Sequence, residues 1–194
     1  IAFDQKTPQE LITLLDDKRP MVRRNALENL VSTGPGSLEV LQDRCQNGTD
    51  PQRLEILYAI HRLHTEEGKA LVREALSDDF EDIRIAGARL CGLSKDEKAL
   101  STLLDIVRSD SSIRVRRQAA TALGQIGSED AVPGLVEASI GVDDRFLQHS
   151  IRYALITLKT PGPVVEALTH NDPSARMSAL VVLDQMDDSP LSSE

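Results

Sequence analysis

Tryptophan is missing from this chain of 194 residues, and aromatic residues of any kind make up only 3% of it. That scarcity argues against a large β-sandwich or barrel and leaves Leu, Ile, Val and Ala to fill the interior, as stacked helices allow. Cysteine is equally sparse. Cys45 and Cys91 stand far apart with no CxxC spacing, so neither a zinc site nor a disulfide framework is suggested, and both read as buried thiols. No run approaches the roughly 18 apolar residues of a membrane span, and no signal-peptide pattern opens the chain. Basic charge is in short supply too: 22 Lys and Arg face 31 Asp and Glu, a formal net charge of -9. The resulting field repels phosphate backbones and anionic lipid surfaces, so the expectation is no nucleic acid and no membrane insertion. Phosphate loops and dinucleotide fingerprints are also absent.

What the chain does have is repetition. VRRQAATALGQIG, from Val115 to Gly127, realigns on VRRNALENLVSTG from Val22 and on IRIAGARLCGLS from Ile83. The small or apolar residue four positions after each leading aliphatic gives Ala26, Ile56, Gly87, Ala119, Ile151 and Ala179, in steps of 30, 31, 32, 32 and 28 residues. Four positions further lie Leu30, Ile60, Cys91, Leu123, Leu155 and Leu183, the same helical face one turn on.

An earlier apolar helix precedes each of these, as in ELITLL, ALVREAL, LSTLLDIV and VPGLVEAS, and turn signals such as Gly34-Pro35-Gly36 and Pro161-Gly162-Pro163 punctuate the copies. Strand-period alternation is not sustained anywhere. One such hairpin cannot bury both of its apolar faces, whereas neighbours stacked in line share a continuous core. The expected fold class is therefore all-α, a right-handed α-α superhelix of about six helical hairpins, with small residues at Gly87, Ala119, Ala120 and Ala179 admitting close helix approach. Residues 1–194 read as one repeat domain. The start at Ile1 and the polar ending SPLSSE read as a fragment of a longer polypeptide.

Three copies share an Asp in the turn six residues before an Arg that opens the second helix: Asp17 and Arg23, Asp78 and Arg84, Asp110 and Arg116. This pattern resembles HEAT repeats, in particular the short HEAT-like class also found in phycobilisome lyases. The resemblance implies a ladder in which each turn carboxylate bonds a guanidinium of its own or the adjoining repeat. Gln52 and Gln148 are read at the Arg position of two other copies, and His170 falls where the turn Asp of the last would stand, so the ladder is expected to break there.

The run from Arg53 to Leu93 also resembles the HEAT segment of large exported bacterial proteins that join a propeller-type dehydrogenase-like domain to a c-type haem domain. An exported or periplasmic location follows if that likeness holds, and a cytoplasmic one otherwise. No CxxCH occurs here, so no haem could attach covalently to this piece.

In a HEAT stack the second helices line the concave surface, which makes Arg24, Arg84, Arg117, His149 and Arg176 the candidate partner-binding residues. Intramolecular pairing is the competing role for the arginines, since guanidinium–carboxylate geometry suits it well; Arg24 and Arg117, one position past the ladder, are the better candidates for an acidic partner. His61 and His64 have metal-compatible spacing without an evident third ligand, so no metal is assigned. The paired His-Glu steps of HEAT-like di-iron hydroxylases are lacking, as are the basic, aromatic features of HEAT-like DNA glycosylases.

Acidic pairs such as Asp16-Asp17, Asp78-Asp79, Asp143-Asp144 and Asp187-Asp188 read as caps in turns. Neither cysteine has a base beside it in sequence. The reading is thus a non-enzymatic interaction or spacer module without cofactor, binding flanking domains or another polypeptide, with a homotypic contact expected through the outward apolar face of the helix carrying Ala179, Val182, Leu183 and Met186. The alternatives are an accessory region of a haem-containing dehydrogenase-like protein and a bilin-lyase-like tetrapyrrole chaperone.

Overall fold

The computed structural model describes residues 2–186, and the acidic pair Asp187-Asp188 and the tail after it lie outside the described residues. Twelve α-helices and no strand occur among the described residues. They form six successive hairpins: α1 (Pro8–Thr13) with α2 (Pro20–Thr33), α3 (Leu38–Asn47) with α4 (Asp50–Arg62), α5 (Glu66–Glu74) with α6 (Glu81–Leu93), α7 (Leu100–Ser109) with α8 (Ile113–Ile126), α9 (Ala131–Ala138) with α10 (Arg145–Leu158), and α11 (Pro161–Glu166) with α12 (Pro173–Asp184). The fold is all-α, as the periodicity requires. Contacts divide the chain into two compact units, Ile1–Gly87 and Ala88–Glu194.

Local chemistry sets the helix ends. In α1, Thr7 and Glu10 form a reciprocal capping box, Glu10 N donating to Thr7 Oγ1 at 3.3 Å and Thr7 N to Glu10 Oε2 at 2.8 Å. Ser112, Asp144 and Asp172 accept amide N–H groups at the starts of α8, α10 and α12. Proline occupies the first turn of α1, α2, α4, α11 and α12, where its missing N–H removes no helical bond. Gly127 ends α8 in the left-handed conformation, φ 82°.

Burial follows the sequence register. All twelve periodic positions named above, from Ala26 to Leu183, are buried. In the first unit the interior gathers Leu11, Leu15, Ala26, Leu30, Leu41, Ile56, Ala59, Ile60 and Leu63, with Phe3, Leu27 and Leu71 closing its edges. Each fully buried leucine contributes about 1.5–3 kcal/mol relative to exposure.

In the second unit glycine admits close approach of α8 to α10 and of α6 to α8. A Cβ on Gly124 would stand 3.0 Å from Ala154 Cα, and one on Gly92 would stand 2.9 Å from Ala122 Cα. Ala179, Val182 and Leu183 of α12, and Met186 just after it, are buried and pack inward. The exposed apolar residues of that helix are Met177 and Leu180, so the face expected to point outward is turned to the core by the helix's actual phase.

A candidate protein-binding face beside a main-chain ladder

The arginines that open the second helices are placed at one geometric position. Arg23, Arg53, Arg84, Arg116 and Arg176 each stand fourth in their helix, and Gln148 stands fourth in α10. From there the side chain reaches back to the turn. Arg23 Nη1 donates to the carbonyl of Asp17 at 2.9 Å, Arg84 Nη1 to those of Asp78 at 2.8 Å and Asp79 at 3.1 Å, and Arg176 Nη1 to those of His170 at 2.7 Å and Asn171 at 2.9 Å. Gln148 Nε2 makes the equivalent bond to Val142 O.

The acceptors are carbonyls at or just beyond a helix C-terminus, which lack intrahelical partners and carry the negative end of the helix dipole. In three of these hairpins the first helix tightens into a 3-10 turn at Leu14–Asp16, Ala75–Ser77 or Ala167–Thr169 just before the accepting residue. α7 finishes without one, and there Arg116 Nε takes the open carbonyl of Val107 at 2.7 Å.

The turn carboxylates serve main chain and guanidinium together: Asp17 bonds Arg19 of its own repeat, and Asp78 bonds Arg53 of the adjoining one. Asp17, Asp78 and Asp110 each accept the main-chain N–H two residues on, from Arg19 at 2.9 Å, Phe80 at 2.9 Å and Ser112 at 2.8 Å. Asp17 also holds the Arg19 guanidinium, and these bonds keep its carboxyl far below the usual range. His170 does the same work by other atoms: its Nδ1 accepts Asp172 N–H at 3.0 Å while Nε2 meets Glu137 Oε1 at 3.1 Å, an arrangement that fits the Nε2–H tautomer.

The expected breaks are therefore bridged at His170 and Gln148, because the bonded group is a peptide carbonyl that every residue carries. Gln52 proves not to be the rung of its copy. It stands third in α4, where Oε1 accepts from Thr49 N at 3.1 Å and Nε2 donates to Asp16 Oδ1 at 2.9 Å. The rung is Arg53, which binds the carbonyl of Cys45 at 2.9 Å, the Asp50 carboxylate at 3.1 Å and the Asp78 carboxylate.

This geometry sorts the five candidate partner-binding residues. Arg84 and Arg176 are folded onto the turn carbonyls. Arg24, on α2 in the first unit, is exposed. Arg117 and His149 lie in the second unit and belong to one exposed group. The Arg117 guanidinium sits 5.1 Å from the ring centre of Phe146, Arg145 sits 4.8 Å from the same ring, and His149 stacks on Tyr153 at 6.3 Å with 26° between planes. Cation–π contact of this kind adds about 0.5–1 kcal/mol at exposed sites.

Phe146 and Tyr153 are 50% and 58% exposed although their helix is well packed on its other side by Leu147, Ile151 and Leu155. Two of the five aromatic residues in the whole chain thus share one solvent-facing stripe of α10. Met177 and Leu180 of α12 are exposed in the same unit. Neither Arg117 nor Arg145 has a carboxylate partner among the described residues.

The other groups weighed for chemistry are placed as follows. His61 and His64 meet edge-on with ring centres 5.9 Å apart, and burial, with a smaller push from His64, lowers the His61 pKa. Among the described residues no cluster of three or more His, Cys, Asp or Glu could hold a metal. Burial pushes the Cys45 thiol up, and Cys91 is buried. No described helix is long and apolar enough to cross a membrane.

Residues 68–156 match the family model for HEAT repeats. That stretch of the chain is therefore similar to HEAT repeats. Solved structures of similar fold align with nearly all of the chain. The E. coli protein YibA is 18% identical, with 93% of this chain and 71% of that one covered and a TM-score of 0.59. A chain from the complex of CpcE and CpcF of phycocyanin lyase from Nostoc sp. PCC7120 is 22% identical, with 92% and 76% covered and a TM-score of 0.57. An engineered protein is 16% identical, with 91% and 95% covered and a TM-score of 0.54. At these identities the likeness is one of fold.

The residues missed from sequence are Phe146, Tyr153, Arg145 and Met177. A signal for them existed in the spacing of Phe146, His149 and Tyr153, which share a helix stripe opposite the apolar one.

Proposed function

We propose that this chain is a non-catalytic protein-binding module, a scaffold that grips a flanking domain or another polypeptide through the solvent face of α8 and α10. The observation that carries the reading is the exposed group Arg117, Phe146, Arg145, His149 and Tyr153. Large aromatics and arginines are the residue types that anchor protein interfaces, because they combine apolar area with directional polar contact. In a chain so poor in aromatics, leaving two of them half in water on one helix stripe contributes little to folding and much to association. Arg24 offers a second cationic contact on the first unit.

Photo-cross-linking tests this. A benzoylphenylalanine placed at Phe146 in the parent polypeptide is expected to form adducts with a protein segment, and one at exposed Phe80 is not. Arg117→Glu is expected to abolish the adducts while helix content stays unchanged. Equal labelling at both positions, or adducts indifferent to Arg117→Glu, would refute the reading.

A further inference from the structure

Beside the aromatic stripe, a cleft of about 300 Å³ opens between α10 and α12. Its lining is Ser139, Gln148, Arg152, Pro173, Ser174, Met177 and Ser178, with no carboxylate among them. Two of the polar groups are already engaged: Ser139 Oγ donates to Val136 O at 2.7 Å, and Gln148 Nε2 donates to Val142 O. The amide of Ser174 is likewise taken by its cap, Asp172 Oδ1, at 2.7 Å.

Arg152 differs: its Nε is buried without a hydrogen-bond partner, and buried Ser178 stands beside it in the lining. Arg152 also has no ion-pair partner among the described residues. Arg152 is half-buried and a guanidinium keeps its charge, so among the described residues its Nε–H is a donor with its bond unmade.

We infer that this cleft is built to receive a carboxylate, the Asp or Glu side chain of an acidic peptide segment seated across α10 and α12. A carboxylate is the ligand whose two oxygens match a guanidinium edge, one accepting from Nε–H and the other from an adjacent Nη–H. The Ser178 hydroxyl adds a third donor. Met177 is the yielding wall of the cleft: its side chain is unbranched and 57% exposed, so it can swing outward as the ligand enters.

Phe146 and Tyr153 on the same helix supply apolar area for the residues flanking the acid, which a free inorganic anion would not use. Charge complementarity sets the partner's sign, since Arg117, Arg145 and Arg152 give this face a cationic character that the chain as a whole, at -9, does not have. The inference rests on the protein-binding reading above and names the chemistry of the partner.

An NMR titration of the 194-residue chain tests it. The probe is a capped pentapeptide with a central Glu flanked by leucines, and the comparisons are its Gln counterpart, glutarate, inorganic phosphate and a single-stranded oligonucleotide. The Arg152 Nε–H signal and the amides of Ser174 and Ser178 are expected to shift saturably with the Glu peptide, at least tenfold more tightly than with the Gln peptide or phosphate. Arg152→Met is expected to abolish the response and to leave the melting temperature unchanged or higher, because the unpaired donor goes with it; Arg152→Lys, which keeps the charge and loses the fork, retains only a weak response.

The proposal is overturned by an unresponsive Arg152 signal, by equal affinity for the Gln peptide, or by phosphate or the oligonucleotide binding as tightly as the Glu peptide. It is also overturned by Arg152→Met lowering the melting temperature with no ligand response in the parent, which would make Arg152 a structural residue. Cross-linking from position 146 separates the two readings: adducts that persist when Arg152 fails to respond leave the binding face standing and remove only the carboxylate site.

Discussion

Gly124→Ala is the sharpest test of how the second unit is packed. The residue lies inside α8, where glycine costs about 1 kcal/mol relative to alanine, so propensity alone makes the substitution stabilising by that amount. The structure predicts the opposite sign. The new methyl carbon would stand 3.0 Å from Ala154 Cα, 3.3 Å from its Cβ and 3.5 Å from its carbonyl oxygen, and two of these are main-chain atoms that no side-chain rotation can move. Relieving the contact requires α10 to shift, and overpacking of this kind costs about 1–3 kcal/mol. The balance is a net loss of about 0–2 kcal/mol.

Urea denaturation followed by circular dichroism measures it, with transitions fitted separately if the two units unfold apart. Gly162→Ala is the control, since a Cβ there meets nothing within 4 Å and is expected to be neutral or mildly stabilising. Gly124→Val, which adds two methyl groups at the same spot, should fall further than the alanine. If Gly124→Ala instead gained the full propensity increment, the close approach of α8 and α10 would be wrong.

Arg53→Met is expected to cost about 2 kcal/mol, because it strands the largely buried Asp78 carboxylate, whereas Gln52→Ala should cost under about 1 kcal/mol; equal losses in thermal melts would contradict the assignment of the rung to Arg53. His170→Ala should lose about 1 kcal/mol by removing the bond to Asp172 N–H, and His170→Asn should recover part of it; identical stability of the two variants would show that the imidazole does not cap the turn. The carboxyls of Asp16 and Glu28 lie below their ordinary values of 3.8 and 4.5, chiefly through side-chain bonds from Arg44 and Arg62. A carboxylate with a lowered folded pKa stabilises fully above its unfolded value and loses that contribution as the pH falls through the folded one. Stability should therefore decline from about pH 4.5 downward, and the decline should be shallower in Arg44→Gln; an unaltered acid profile in that variant would disprove the link.

The hairpin count, the helix order and the core register were all legible in the chain, because period and burial are the same fact seen twice: a residue recurring every four positions on one face is the residue that meets the neighbouring helix. The ladder is legible in position and only partly in its bonds: Asp17 and Asp78 hold the guanidiniums of Arg19 and Arg53, partners that the six-residue spacing does not name. Arg23 and Asp17 are correctly paired in space, yet the bond runs to a carbonyl, and a main-chain acceptor leaves no trace in residue identity. A break is expected at Gln52 because it precedes Arg53, the actual rung, by one residue, and only the helix phase separates third position from fourth. Phe146 and Tyr153 escaped notice for a different reason. Their exposure depends on which stripe of α10 the neighbouring helices cover, and that is a property of packing. Arg152 is the extreme case, since an unpaired buried Nε–H cannot be read from any pattern of letters.

A joint that clasps the peptide bond is indifferent to what hangs from it. Because the second-helix side chain holds the turn by its backbone, the turn's own residues can drift, as Asp has to His at position 170, without loosening the hinge between helices. The repeats can then diversify at their corners and on their outer stripes while their spacing is inherited unchanged, so one architecture can be re-dressed for new partners one hairpin at a time.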